Sequence, residues 1–375
     1  MKQVTTSRAG CRAERRDGEL ELTLAPGQVL RFPAMWLRDS CPCAECADPA
    51  SGQKLHDVTD IPPDCAVAAV ADVTAVAEAH DAVAVTFAPD GHRSLFAVDW
   101  LLAQAAGEHP DTRKPWHSQA ELGELPQLSW HRYIGHPMQR ARALESVVRR
   151  GFVILRDVPA REGMVTQVAE TFGFVRETNY GRLFDVRIEP APGNLAFTSR
   201  EILPHTDNPY RDPVPTLQLL HCLRAADQGG DTGLVDGLAA ALALRAQDRA
   251  AYDVITGTTV RFEYKDPGAE LRTSQPLIQL GPDGTVRGVR FNNRSARPPY
   301  QDAARFYPAY RRWAELLAQP QRRLVVRLAP GDCLIFDNTR ILHARTSFSV
   351  TGSRHLQGCY ADTDGLASTL EVLQR

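Results

Sequence analysis

The sequence lacks an excess of charge of either sign and lacks any long apolar run. Its 375 residues include 43 basic and 45 acidic side chains, for a formal net charge of -2. This balance offers no basic surface for nucleic acid or an anionic membrane. No apolar segment approaches the roughly 20 residues that span a bilayer, and the polar residues 1–8 lack the apolar segment of a secretory signal. We therefore expect a cytoplasmic protein with neither a nucleic-acid partner nor a membrane partner.

The eight cysteines do not suggest disulfides. Cys41, Cys43 and Cys46 lie within one short turn of the chain, a spacing too tight for a disulfide framework and suited to a metal. Thiolates favour zinc, and His92, in a turn after Pro-Asp-Gly, is our candidate for the fourth ligand. We predict a structural Zn(II) site at these four residues. Reduced loop cysteines are an alternative, and redox chemistry is disfavoured because no thioredoxin-like βαβ pattern surrounds the motif.

The pattern along the chain indicates two domains. Short runs with strand-like alternation, such as 19–24 and 82–87, predict a small β-rich domain over residues 1–110. Residues 111–130 are polar and contain several prolines, so we interpret them as a linker. Residues 131–375 form the predicted second domain.

Within the second domain, helical patterns come first and short strands follow. Residues 137–151 have helical spacing, whereas 217–223 and 323–328 are short apolar runs bounded by turns. A helical insertion at 237–252 interrupts the strands. This order predicts a mainly β fold with flanking helices, a sandwich or jelly roll rather than a parallel α/β sheet.

The strongest functional pattern is His205-Thr206-Asp207, followed 136 residues after Asp207 by His343. Two imidazoles and one carboxylate in this order are typical of the facial triad that binds non-heme Fe(II) and leaves other coordination positions open. In a strand, residues i and i+2 point to the same face, so His205 and Asp207 could bind one metal. Alone, this tripeptide is common, and His343 could be an ordinary buried histidine.

Two further residues match a site for 2-oxoglutarate. Thr232 follows a Gly-Gly-Asp turn, and Arg354 lies 11 residues after His343. A hydroxyl and a guanidinium could bind the distal carboxylate of this co-substrate, since the guanidinium fork matches a carboxylate. Each residue alone could be a turn threonine or a surface arginine.

Nine short motifs together are typical of one enzyme family. They are 36–43 (WLRDSCPC), 99–101 (DWL), 194–198 (NLAFT), 205–207 (HTD), 217–223 (LQLLHCL), 230–232 (GDT), 235–237 (VDG), 336–338 (FDN) and 354–360 (RHLQGCY). Through these motifs, nearly the whole chain resembles the γ-butyrobetaine hydroxylase family of Fe(II)/2-oxoglutarate dioxygenases. The resemblance implies a double-stranded β-helix catalytic domain, a zinc-bearing N-terminal domain and a homodimer. It also implies iron at His205, Asp207 and His343, 2-oxoglutarate at Thr232 and Arg354, and O₂ as co-substrate.

Members of the resembled family hold a trimethylammonium group in an aromatic cage, through ring faces rather than hydrogen bonds. The matching positions here are Tyr180, Phe184, Phe197 and Tyr360, and Asn194 is a further candidate for substrate binding. The resemblance therefore implies a small quaternary ammonium substrate.

The acid end of the predicted pocket departs from the butyrobetaine pattern. The candidates for binding the acid group are Asn208, Tyr210, Asn292, Asn293 and Arg294. These residues add donors and a positive charge, which suit a phosphonate better than a carboxylate. Within the resembled family, this pattern is most similar to members that act on 2-(trimethylammonio)ethylphosphonate. The resemblance therefore implies hydroxylation of that compound at the carbon next to phosphorus.

Several alternatives remain at this point. γ-Butyrobetaine is the second substrate candidate and trimethyllysine the third. Arg294 could also be an ordinary surface arginine or pair with Asp302, and Arg297 could take its role. The chain could instead be a non-catalytic ligand-binding or iron-sensing protein on the same fold.

Overall fold

The computed structural model describes residues 11–25, 27–76, 80–106, 111–187, 200–347 and 354–375. The chain forms two compact units, Met1–Asp111 and Thr112–Arg375. The domain limits inferred from the sequence stay a proposal. None of the described helices has the length and apolar character needed to cross a lipid bilayer.

The first unit is β-rich. Its elements are β1 (Arg12–Arg16), β2 (Glu19–Leu24), β3 (Gln28–Phe32), α1 (Ala34–Asp39), a short 3₁₀ helix (Val58–Asp60), β4 (Ala66–Val76), β5 (His80–Ala88), β6 (Arg93–Ala97) and α2 (Val98–Ala105). The strands pair antiparallel in two sheets, with the orders β1-β2-β3 and β4-β5-β6. Leu20 and Leu22 of β2 are fully buried and pack with Phe87 and Phe96 in the core of this unit.

The second unit contains the remaining elements. In chain order they are α3 (Gln119–Leu122), β7 (Gln127–Ser129), α4 (Trp130–Gly135), α5 (Pro137–Arg150), β8 (Phe152–Arg156), α6 (Met164–Ala169), β9 (Phe184–Arg187), β10 (Ile202–His205), β11 (Leu217–Arg224), β12 (Thr232–Asp236), α7 (Gly237–Gln247), α8 (Arg249–Gly257), β13 (Thr259–Lys265), β14 (Glu270–Pro276), β15 (Ile278–Leu280), β16 (Val286–Val289), β17 (Ala296–Arg297), α9 (Ala303–Ala318), a 3₁₀ turn (Pro320–Arg322), β18 (Leu324–Val326), β19 (Cys333–Asp337), β20 (Ile341–Arg345), β21 (His355–Ala361) and α10 (Thr363–Gln374).

Two sheets form the centre of this unit. The major sheet has the order β7-β8-β19-β11-β21-β9, and the minor sheet has the order β10-β20-β12-β18. Side chains from both sheets, among them Phe152, Leu234, Phe336 and Ile341, make one buried cluster. The two sheets therefore pack face to face, as in a sandwich. The β-rich, jelly-roll character predicted from the order of elements is confirmed.

β11 is buried on both faces, and its residues 217–222, which include Gln218 and His221, are all buried. Leu217 and Leu219 face a cluster formed with helices α5, α6 and α10, whereas Leu220 and Cys222 face the core between the sheets. Strands covered on both faces lose the polar alternation of a half-exposed strand. The helices thus cover the outer face of the major sheet.

The predicted helix at 237–252 is two helices. α7 ends at Gln247, and Asp248 begins α8 because its side chain accepts a hydrogen bond from the backbone of Ala251 at 2.9 Å. An N-cap aspartate satisfies an otherwise unpaired amide at the start of a helix. α7, α8 and α9 pack with β13, β15 and β16 around the fully buried Trp313.

The segment interpreted as a linker contains ordered elements of the second unit. Trp116 is buried, its backbone amide donates to Asp236 at 3.1 Å, and its indole donates to the carbonyl of Arg150 at 2.9 Å. β7, at the end of the same segment, pairs parallel with β8. This part of the chain therefore packs against the sandwich.

A buried ion pair lies where β12 ends and β20 begins in the minor sheet. The side chains of Arg340 and Asp236 are 3% and 0% exposed, and their shortest contact is 2.8 Å. Asp236 also accepts from the amides of Leu238 and Ala239 at the start of α7. Gly237 donates to the carbonyl of Arg340, and a Cβ there would lie 2.7 Å from that oxygen. Glycine is required here because the two backbone segments approach so closely.

Replacing Asp236 by Ala should strongly destabilise the protein. The change leaves the Arg340 guanidinium buried without its counter-charge, which costs about 3–5 kcal/mol. The measurement is the free energy of unfolding in urea. Asp253→Ala is the matched control, because it breaks an exposed ion pair with Arg249 worth less than about 1 kcal/mol. Similar losses in the two variants would contradict this account.

Candidate active site

The two histidines of the predicted triad meet across neighbouring strands. His205 on β10 and His343 on β20 are direct register partners, and their ring centroids are 4.2 Å apart. The Nδ1 atom of His205 lies 2.9 Å from the carbonyl oxygen of Leu203. Because a carbonyl only accepts, Nδ1 carries the hydrogen and Nε2 is left with a lone pair for a metal.

The sequence predicted that His205 and Asp207 share one face of a strand. The structure places Asp207 outside the strand. β10 ends at His205, and Asp207 lies beyond it. The fully buried Asn338 holds Asp207 instead, accepting from its amide at 2.8 Å and donating to its carbonyl at 3.0 Å. A second hydrogen bond from the Asn338 amide group, to the carbonyl of Pro215, fixes Asn338 itself. His205 and Asp207 therefore converge through the contacts of Asn338, and not through alternation along one strand.

The three side chains form a compact group of metal-ligand type. One ligand atom from each of His205, Asp207 and His343 lies within 4.8 Å of the others. The Nε2 atom of His205 is 3.4 Å from Oδ1 of Asp207, and the Nε2 atom of His343 is 3.9 Å from Oδ2. Two imidazoles and one carboxylate at these separations fit the donor set of a non-heme Fe(II) site.

The electrostatics favour the protonation states that a metal needs. Burial is the main cause that lowers the pKa of His343, and the nearby His205 lowers it further, to about 3. The His343 imidazole is therefore neutral at physiological pH. Burial alone would raise the pKa of Asp207, but the neighbouring histidines and a hydrogen bond from Gln218 lower that pKa by more. A neutral imidazole and an ionised carboxyl are the forms that bind a metal.

The triad lines a cavity of about 460 Å³ in the second unit. Most of the predicted site residues line it as well: Thr232, Arg354, Tyr180, Phe184, Tyr360, Asn208, Tyr210, Asn292 and Arg294. Asn194 and Phe197 lie outside the described residues. Asn293 does not line the cavity, because its amide oxygen accepts a hydrogen bond from Tyr310 of α9 at 2.8 Å.

One wall of the cavity is an aromatic cluster. Phe184 lies 5.0 Å from Tyr360 and 6.3 Å from Tyr180, measured between ring centroids. Tyr264, which the sequence analysis did not identify, stacks on Tyr210 at 4.9 Å and meets Tyr180 edge-on. The hydroxyls of Tyr180 and Tyr210 are 3.0 Å apart. Tyr210, predicted for the acid end, therefore belongs to the aromatic wall.

Burial keeps these phenols neutral. It raises the pKa of Tyr180, Tyr210, Tyr264 and Tyr360. The rings therefore present uncharged π-faces to the cavity.

Polar side chains lie close to the same triad. Asn208 is buried in the left-handed region, with φ of 52°, and neither of its side-chain amide atoms has a hydrogen-bond partner among the described residues. Arg294 is exposed, and its Nε donates to Asn292 at 3.3 Å. Arg297 forms an ion pair with Glu263 at 3.5 Å and does not line the cavity. Asn208 and Arg294 therefore offer polar groups to a ligand, whereas Arg297 does not.

The region around Thr232 carries two guanidinium groups rather than the single one predicted. Thr232 and Arg345 are register partners on β12 and β20, and Arg354 precedes β21. Burial lowers the pKa of Arg345 and of Arg354 to about 10, so both remain charged at neutral pH. The sequence signal for Arg345 is its position two residues after His343 on one strand, which places both side chains on the same face.

A separate group of metal-ligand type lies in the first unit. Cys41, Cys43, Cys46 and His92 each offer an atom within 4.8 Å of the others. The Nε2 atom of His92 lies 3.2, 3.7 and 3.6 Å from the three sulfurs in that order. A tetrahedral zinc site, with its usual bond lengths, places nitrogen and sulfur about 3.5 Å apart. The geometry is compatible with zinc.

The chain matches two protein families. Residues 120–360 match the family described as "Taurine catabolism dioxygenase TauD, TfdA family". Residues 11–102 match "Gamma-butyrobetaine hydroxylase-like, N-terminal".

Curated relatives match along almost the whole chain. γ-Butyrobetaine dioxygenase of Pseudomonas sp. (strain AK-1) is 36% identical over 365 residues, covering 95% of this chain and 94% of that protein. γ-Butyrobetaine dioxygenase of Homo sapiens is 29% identical, covering 92% and 91%. Mitochondrial trimethyllysine dioxygenase of Mus musculus is 28% identical, covering 99% and 89%.

Similarity to solved structures is weaker. A structure of asparagine oxygenase with Fe(II), 2S,3S-3-hydroxyasparagine and succinate aligns with 62% of this chain and 81% of its own, at 21% identity and a TM-score of 0.49. The match over residues 120–360 and the 36% identity to a relative of full length show that the chain belongs to the TauD/TfdA family of Fe(II)/2-oxoglutarate-dependent dioxygenases, in the group with a γ-butyrobetaine hydroxylase-like N-terminal domain.

Proposed function

We propose that this enzyme hydroxylates a small trimethylammonium compound that also carries an acidic group, with 2-(trimethylammonio)ethylphosphonate as the first candidate. The observation that carries the proposal is the composition of one cavity beside the triad. Its aromatic wall reaches Asp207, since the Tyr360 hydroxyl donates to that carboxylate at 3.2 Å. The cationic Arg294 lines the same cavity as His343.

In this proposal, His205, Asp207 and His343 hold the iron, and Thr232 and Arg354 hold the distal carboxylate of 2-oxoglutarate. When bound, iron and 2-oxoglutarate use O₂ to convert a C–H bond of the substrate to C–OH and release succinate and CO₂. Arg345 lies beside Thr232 and adds positive charge for the same dianionic co-substrate. The protein residues bind and orient both molecules.

The aromatic wall supports a quaternary ammonium group as one end of the substrate. Such a cation has no N–H donors, and electron-rich ring faces attract it. Tyr180, Phe184, Tyr210, Tyr264 and Tyr360 offer neutral rings that line the cavity. The relatives named above include γ-butyrobetaine and trimethyllysine dioxygenases, whose named substrates carry this group.

The polar residues support a phosphonate at the other end of the substrate. Asn208 has two buried amide atoms without partners among the described residues, and a buried polar group is normally satisfied. A phosphonate has three oxygens and approaches two charges, so it can use both Asn208 and Arg294. γ-Butyrobetaine is the second candidate, favoured by the 36% identity to a γ-butyrobetaine dioxygenase.

We further propose that Cys41, Cys43, Cys46 and His92 hold a structural Zn(II). A closed site of four ligands stabilises a small unit with a limited core. The homodimer and the cytoplasmic location inferred from the sequence stay predictions.

Removal of one proposed iron ligand should abolish turnover. His343→Ala takes away one of three ligands, so anaerobic titration should show little Fe(II) binding, and succinate formation should fall more than about 100-fold. His131→Ala is the matched control, because His131 is an exposed histidine on α4. Unchanged Fe(II) binding by the His343 variant would refute the proposed site.

Arg294→Ala should separate the two substrate candidates. Loss of a charge-assisted hydrogen bond, worth about 1.5–3 kcal/mol, should raise KM for 2-(trimethylammonio)ethylphosphonate by about tenfold or more. KM for γ-butyrobetaine should change far less, because a carboxylate has fewer oxygens and less charge. Arg297→Ala, the same change at an arginine outside the cavity, should leave both KM values unaltered. An equal effect of Arg294→Ala on both substrates would remove the phosphonate assignment.

Metal analysis should find about one zinc per chain, and Cys43→Ser should lower that content and the melting temperature of the first unit. Cys65→Ser is the control, since Cys65 is a free cysteine of the same unit outside the cluster. Full zinc content in the Cys43 variant would exclude the proposed zinc site. Iron binding by the second unit should be unaffected in both variants.

A further inference from the structure

Two side chains hold the carboxylate of Asp207 through the same oxygen. Gln218 donates from Nε2 to Oδ2 at 2.9 Å, and Tyr360 donates from its hydroxyl to Oδ2 at 3.2 Å. Gln218 on β11 and Tyr360 on β21 are direct register partners, so neighbouring strands of the major sheet bring both donors to one atom. Both residues are almost completely buried, at 1% and 3% exposure. The arrangement is therefore part of the buried interior of the sandwich.

The two hydrogen bonds leave the carboxylate oxygens unequal. A carboxylate oxygen has two lone pairs directed for hydrogen bonding, and two donors occupy them at Oδ2. Oδ1 faces Nε2 of His205 at 3.4 Å. The Nε2 atom of His343 is 3.9 Å from Oδ2, farther than either hydrogen-bond donor.

We infer that Gln218, assisted by the Tyr360 hydroxyl, is a positioning residue that makes Asp207 bind the metal through Oδ1 alone. This inference rests on the proposed metal-binding role of Asp207. Ligating carboxylates are commonly oriented by an outer hydrogen-bond partner, whose loss weakens metal binding. Here that partner also determines how many carboxylate oxygens are available.

Single-oxygen binding matters because the coordination positions are limited. Two histidines and one carboxylate oxygen would leave positions on the metal open for 2-oxoglutarate and O₂. A second carboxylate oxygen would compete for one of these positions. Gln218 therefore keeps the site open for the second co-substrate.

The orientation of the Gln218 amide follows from the same contact. An ionised carboxylate only accepts hydrogen bonds, so the NH₂ group must face Asp207 and Oε1 must face elsewhere. Oε1 is buried with no hydrogen-bond partner among the described residues, and Gln218 lines the cavity. A glutamate at this position could not donate and would repel Asp207, so glutamine is required.

The inference is tested with Mn(II) as the metal probe and without turnover. The Mn(II) dissociation constant and the number of exchangeable waters on the bound ion are measured by water-proton relaxation. Gln218→Met keeps the length of the side chain and removes the donor. It should raise the dissociation constant by about 10–100-fold and reduce the number of waters by one, because Oδ2 becomes free to bind.

Gln357→Met is the matched control. Gln357 is another buried glutamine, on β21 of the same sheet, but it donates to Asp185 and not to Asp207. The control should keep the wild-type dissociation constant and number of waters. Tyr360→Phe retains the ring and removes the second donor, so it should change the dissociation constant and the number of waters in the same direction as Gln218→Met. It provides the test if the Gln218 variant does not fold.

The outcomes separate this inference from the proposed function. If His343→Ala binds Mn(II) as tightly as the wild type, the triad does not bind the metal and both proposals fail. If His343→Ala loses Mn(II) while Gln218→Met and Tyr360→Phe match the wild type in affinity and in number of waters, the metal site stands and the role of Gln218 is overturned.

Discussion

The arrangement of the catalytic unit depends on the buried ion pair between Arg340 and Asp236. Neither charge reaches water, so removing either one leaves an uncompensated charge in the interior. Arg340 directly precedes β20, the strand that carries His343. Asp236 is the last residue of β12, the strand that begins at Thr232. The pair therefore keeps in register the two strands that carry a proposed iron ligand and a proposed co-substrate ligand.

The turn that contains Arg340 also contains Asn338, and the two residues have complementary tasks. Asn338 ties the backbone of Asp207 to the end of β19, whereas Arg340 ties β20 to α7 and to the carbonyls of Lys114 and Arg149. The triad thus comes from distant parts of the chain: the pairing of β10 with β20 brings the two histidines together, and Asn338 holds Asp207 beside them. Buried hydrogen bonds of this kind orient ligand atoms for a metal.

The cavity has a neutral aromatic wall and a positively charged region around Thr232. The tyrosines are neutral because burial opposes their ionisation, and Arg345 and Arg354 stay charged because their pKa values remain about 10 even after burial. Tyr360 links these regions, since its ring belongs to the aromatic wall and its hydroxyl contacts Asp207. A molecule bound against that ring would therefore lie beside the carboxylate of Asp207, the proposed metal ligand.

Local sequence patterns by themselves determined the elements and the types of ligand. The 3.6-residue period predicted α5, the apolar run predicted β11, and the spacing of His, Asp and Cys identified both groups of potential metal ligands, because these signals depend on near neighbours in the chain. Only the tertiary structure decided that Asn338 holds Asp207, that Tyr264 joins the aromatic wall, and that Asn293 binds Tyr310 instead of lining the cavity. These contacts join residues far apart in sequence, so they depend on strand pairing and side-chain packing that no local pattern records.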